Sequence, residues 1–158
     1  MMFPHTCTIY NKYREGREDK WHRTVLHGVL WDNVRGINAR NGAVDNNDSA
    51  VIIIPAIGRT GYKPPKKFAA HLCENAKRLP QAVLPFSRMS FSLTHHNKTD
   101  VWTINAGDLI VFGEIDFVFD DEHRLADLER QYDDVLTITK VDRRIFGSHL
   151  DHWEVGAK

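Results

Sequence analysis

Nine histidines in 158 residues are the first place to look for acid–base or metal chemistry. His95 and His96 are adjacent and would point to opposite faces of a strand, so they are poorly placed to share one ion. His149 and His152 have no cysteine nearby, and their closest carboxylate, Asp151, lies between them. Both pairs read as surface or turn histidines. His22 and His27 lie among aromatic and aliphatic neighbours, the setting of a core or edge histidine. Cys73 falls in an apolar stripe, where a thiol is packing material; a nucleophile needs an exposed, electropositive setting and a base. Cys7 and Cys73 are far apart and outside any C-x-x-C arrangement, so no disulfide is expected. The acids between positions 114 and 134 lack the alternating spacing and central glycine of a calcium loop. Phosphate-loop, dinucleotide-turn, nucleophile-elbow and zinc-helix signatures do not occur. The expectation is a non-enzymatic protein with no cofactor and no metal, which acts by assembling with other proteins.

Charge is the next source of chemistry. The formal net charge is zero with histidine neutral, which gives no reason to expect a general nucleic-acid or membrane binder. Residues 114–134 nevertheless hold nine acids against two bases, Arg124 and Arg130, a balance of −7 that the rest of the chain offsets with +7. Asp120, Asp121, Glu122, Asp127 and Glu129 are therefore candidates for an acidic face between subunits, which would attract an oppositely charged face of another copy. The plainer reading is a solvated helix with its flanking loops. No apolar run approaches the roughly 20 residues that a spanning helix needs, and residues 1–13 lack a basic region followed by an apolar core. Synthesis and assembly in the cytoplasm, without a membrane, are expected.

The elements that would position these residues are mostly strands. With 42% hydrophobic and 27% charged residues, the chain suits one folded domain over residues 1–158. Residues 6–10 predict a strand ending at Asn11, with a polar loop over 14–20. Residues 21–34 approximate both periods, and their β-branched content favours strand. The Asn-, Asp- and Gly-rich stretch 36–49 predicts an exposed loop or hairpin tip. Val51 to Ile54, four consecutive β-branched residues, predict a strand buried on both faces. Residues 66–79 suggest a short helix, an irregular segment being the alternative, and residues 87–94 are strand-like. Residues 101–119 suggest two strands around the Asn105–Asp108 turn, and 121–132 a short helix with acids in its first turn. Residues 135–141 and 150–155 suggest a terminal hairpin. Seven or eight strands and one or two short helices give a mainly β fold, a small β-barrel or sandwich with long loops. Most of the four tryptophans belong in its core, the alternative for Trp153 being an interface anchor.

Several segments resemble a known family. Residues 3–12 (Phe-Pro-His-Thr-Cys-Thr-Ile-Tyr-Asn-Lys), 26–31 (Leu-His-Gly-Val-Leu-Trp), 101–111 (Val-Trp-Thr-Ile-Asn-Ala-Gly-Asp-Leu-Ile-Val) and 152–155 (His-Trp-Glu-Val) are similar to the head-completion, or head-to-tail joining, proteins of tailed-bacteriophage necks. The resemblance implies a structural virion component whose copies form a homo-oligomeric ring below the portal or its adaptor. Such a ring extends the DNA channel and presents a platform to the tail proteins. It further implies a loop that projects into the channel and contacts packaged DNA. Here that loop corresponds to residues 36–49, with Arg35, Asn38, Arg40 and Asn41 as channel or partner contacts. Residues 80–100 would be an insertion relative to shorter members. A tail terminator or minor capsid protein is the alternative, and a small enzyme using the acidic segment a second one.

Overall fold

The computed structural model describes residues 2–40, 43–78 and 101–158. In chain order the elements are β1 (His5–Glu15), β2 (Glu18–Arg40), β3 (Ala43–Pro55), α1 (Pro65–Arg78), β4 (Leu109–Phe112), α2 (Leu125–Gln131), β5 (Val135–Arg144) and β6 (His152–Ala157). The strands close into an antiparallel barrel in the order β1-β2-β3-β6-β5-β4, so the expected mainly β fold is a barrel rather than a sandwich. Six strands are found among the described residues; the strand-like segment 87–94 lies outside them.

Period-two alternation fills the barrel. Cys7 and Ile9 of β1, Ile110 of β4, Ile52 and Ile54 of β3, and Val155 of β6 are fully buried. Trp102 and Trp153 meet near-perpendicularly at 5.0 Å between ring centres, and Tyr62 packs against both. Trp153 is therefore core, 3% exposed, and not an interface anchor. Val51, in the middle of the β-branched run, is 40% exposed, so β3 is buried on one face only.

Inward-facing positions on β2 change parity, from Leu26 to Val29 and Trp31, and Gly28 is the cause. It sits at φ +68° where the β1–β2 register slips, an extra residue in a bulge that a residue with a Cβ would strain. Arg59 fastens the bulge. Its guanidinium donates to the carbonyls of His27, Gly28 (2.9 Å) and Pro55 (3.0 Å), tying β2 to the end of β3.

Several expectations need correction. β1 does not end at Asn11 but continues to Glu15, pairing with β2 as far as Glu18. β4 accompanies β1 only from Cys7 to Tyr10; beyond that the β1–β2 ribbon leaves the wall, and a polar sequence suits it. The stretch 36–49 is not an irregular loop either. β2 and β3 stay paired through Gly36↔Asn47 and Asn38↔Asp45 to Arg40↔Ala43, so the hairpin-tip expectation falls on residues 41 and 42, outside the described residues. Residues 101–104 do not form a hairpin with β4. Trp102 makes a single parallel bridge to Tyr62, and the chain crosses the barrel end to bury its indole. Residues 113–119 form a covering layer instead of a strand, and α2 is shorter than expected, with Asp127 the acid in its first turn.

Both cysteines are free. Cys7 lies inside the barrel, where burial pushes its thiol up to about 12, while Cys73 is half-buried on α1. Thiol alkylation of the native protein at neutral pH should label Cys73 and spare Cys7. Mass spectrometry of the digested adduct checks this, and prompt modification of Cys7 would show that the barrel opens readily.

Candidate functional site

Three surfaces stand out once the barrel is assembled, and the first is the arm. β6 accompanies β3 only as far as Ala50, and β1 accompanies β2 only as far as Val29. Beyond those rungs, among the described residues, β2 and β3 pair with each other alone and form a two-stranded ribbon that continues past the barrel wall. Of the residues predicted to act there, Arg35 is opposite Asp48, Asn38 opposite Asp45 and Arg40 opposite Ala43, while Asn41 lies outside the described residues.

The second surface lies at the other end of the barrel, because antiparallel order carries β3 and β5 away from the arm before each ends. The β5–β6 loop is held by Asp151, whose Oδ1 accepts from the backbone N–H of Phe146 (2.7 Å) and of Ser148 (3.3 Å). Those bonds, Phe146 first, hold the Asp151 carboxyl below the usual range. Ile145, Phe146 and Leu150 of this loop are largely exposed. Ile57 is also 64% exposed and lies beside them, since its neighbour Ala56 donates to the carbonyl of Asp151 at 2.8 Å. Below the loop, Arg143 covers the rings of Trp153 (5.3 Å) and Tyr62 (5.7 Å).

The third surface is the acidic layer, residues 113–134, laid over the outer face of β1 and β4. Apolar packing of Ile115, Phe117 and Leu128 on Tyr10, Leu109 and Val111 holds it there. Hydrogen bonds fix its register: Thr8 Oγ1 donates to Gly113 O (2.8 Å) and accepts from Ile115 N (3.1 Å), and Tyr10 donates to Phe117 O (2.9 Å). The five predicted acids fall together on this layer but differ in what they do. Asp120 accepts from the backbone and ring of His123, which lowers its pKa, and Asp127 accepts from Arg124 N at 2.9 Å to cap α2. Asp121, Glu122 and Glu129 are exposed, and none has an ion-pair partner among the described residues. A cleft beside the layer is lined by Trp21, stacked on Phe119 at 4.8 Å, and by Lys20, Asp120 and Arg124. No group of three metal-ligating side chains occurs among the described residues.

One buried carboxylate escaped the sequence reading. Asp108, 5% exposed, accepts from Asn11 Nδ2 (2.7 Å), Asn105 N (2.9 Å) and Lys12 N (3.3 Å), and so locks the turn before β4 to β1. Burial raises its pKa, and the hydrogen bonds oppose that rise. The geometry is structural, since every acceptor site in use faces a donor of the scaffold.

The class that these features define is a small closed antiparallel barrel with a two-stranded arm at one end, an apolar loop at the other and a charged layer on its wall. The chain belongs to the family described as a family of unknown function, DUF6751, whose model matches residues 2–158. No curated protein and no solved structure matches it.

Proposed function

We propose that this protein is a structural component of a tailed-phage neck, one of many copies in a ring that joins the DNA-filled head to the tail. The observation that carries this reading is the paired arm, which reaches past the barrel wall with no third strand among the described residues to pack it down. A ribbon with no third strand beside it among the described residues is suited to a contact outside its own barrel. In a ring, one arm per copy is presented around a common axis, and Arg35 and Arg40 repeated in every copy supply phosphate or partner contacts that one copy alone makes weakly. The two unlike barrel ends fit a subunit with different neighbours above and below, the portal or adaptor on one side and tail proteins on the other. The resemblance of residues 3–12, 26–31, 101–111 and 152–155 to neck proteins points the same way.

Replacing residues 38–47 with a short Gly-Ser linker tests the reading. The remaining ladder still reaches Arg35↔Asp48, and a changed loop length alters closure free energy by about 1 kcal/mol or less, so the melting temperature should barely move. Complementation of a phage lacking the gene should then give few DNA-filled, tailed particles. Normal yields from a stable variant would refute the proposal.

A further inference from the structure

Charge on this chain is divided by a single β ribbon. Trp21 of β2, opposite Lys12 of β1, stacks on Phe119 of the acidic layer. The next pair along the ribbon, Asn11 and His22, faces the other way, and His22 meets Phe68 of α1 edge-on at 5.1 Å. The acidic layer and α1 thus lie against opposite faces of β1–β2. Residues 59–78, which contain α1 and its lead-in, carry six bases (Arg59, Lys63, Lys66, Lys67, Lys77, Arg78) against one acid, Glu74, a balance of +5 facing the −7 of residues 114–134. Lys66, Lys67 and Lys77 are exposed, as are Glu114, Asp121, Glu122, Glu129 and Asp133, and no ion pair among the described residues uses any of them. Val118, 67% exposed, adds an apolar contact to the acidic side.

We infer that the acidic layer of one copy docks against α1 of the next, a head-to-tail contact that repeats around the assembly. Two complementary faces separated by a ribbon of their own chain cannot neutralise each other, whereas a second copy brings them together. A head-to-tail contact of this kind closes into a ring when the rotation between neighbours permits. The inference rests on the ring reading of this protein and names the faces that meet. Because both faces are solvated and rich in lysine and carboxylate, the contact is weak in isolation and sensitive to salt.

A charge swap provides the test. One variant carries Lys66→Glu, Lys67→Glu and Lys77→Glu, which takes residues 59–78 from +5 to −1; the other carries Asp121→Lys, Glu122→Lys and Glu129→Lys, which takes residues 114–134 from −7 to −1, so each variant keeps only one strongly charged face. Sedimentation at roughly 100 μM should show self-association of the natural protein in about 0.05 M salt, weakened about tenfold in about 0.5 M, where the Debye length falls from over 10 Å to a few ångströms. Each variant alone should remain monomeric at low salt, and an equimolar mixture should associate again. If either triple variant misfolds, Lys66→Gln, Lys67→Gln and Lys77→Gln should still weaken association. Association of each variant by itself, or no recovery on mixing folded variants, would overturn the inference. Should the mixture fail while the arm replacement still abolishes tailed particles, the facing is wrong and the ring reading stands. Should the arm replacement prove harmless while the mixture recovers, the contact is real and the ring has another role.

Discussion

Asp108→Ala is expected to lower the unfolding free energy by about 3 kcal/mol, because it strands one N–H of the buried Asn11 amide, which still donates to Thr103 O, and two backbone N–H groups, each worth roughly 1–3 kcal/mol when left without an acceptor. Asp108→Asn should cost far less, about 1 kcal/mol or under on the same scale. Its one amide oxygen, set at the Oδ2 position, still accepts from Asn11 Nδ2 and Asn105 N, so only the bond from Lys12 N, the longest of the three at 3.3 Å, is lost. The two variants also differ from the natural protein in pH dependence. Burial raises the Asp108 pKa above its value in the unfolded chain, so the folded state holds this proton more tightly. Its stabilising contribution is complete below the unfolded value of 3.8 and is lost as pH rises through the folded value. Asparagine has no such proton. The stability of Asp108→Asn relative to the natural protein should therefore improve between a pH below 3.8 and neutral pH, which urea denaturation at both pH values would read. A loss under about 1 kcal/mol for Asp108→Ala would mean that the turn does not need its lock.

Asp108 also shows where sequence reasoning succeeded and where it stopped. Asn105 to Asp108 was legible as a turn, and Gly107 indeed sits at φ +92°. What the turn holds was not legible, because two of the three donors to Asp108 come from residues 11 and 12, almost a hundred positions away. Local signals carried the barrel strands: the β-branched and aromatic residues at 6–10, the β-branched run at 51–54 and the apolar 109–112 all became strands of the wall. They failed where a strand leaves the wall. The arm needs no inward apolar face, so Asn, Asp and Gly there resembled a loop although the backbone remains laddered. They failed in the opposite sense at 101–104, where β-branched and aromatic residues fill the end of the barrel instead of pairing with β4. Of the candidate site, the acidic run was visible as composition. That it lies across a ribbon from α1 required the register of β1 on β2, which no local pattern encodes.

Leu128→Ala should separate the acidic layer from the barrel it rides on. α2 spans seven residues, too short to persist in water alone, and Leu128 is its one buried side chain, fully enclosed by the cluster of Tyr10, Leu109, Val111, Ile115 and Phe117. Truncating an enclosed leucine costs about 2–5 kcal/mol, part of it from the cavity left behind. Here that cost falls on a layer whose removal leaves the six-stranded ladder intact, so the layer should open before the barrel does. Hydrogen exchange should accelerate by roughly 100-fold in α2, the equivalent of about 3 kcal/mol, with much smaller changes in the paired stretches of β3 and β6. Self-association at low salt should fall in parallel, since the carboxylates would no longer be presented as one face. Uniform acceleration across the chain would show instead that layer and barrel open as one cooperative unit. Unchanged exchange in α2 would show that the hydrogen bonds from Thr8 and Tyr10 hold the layer without help from this leucine.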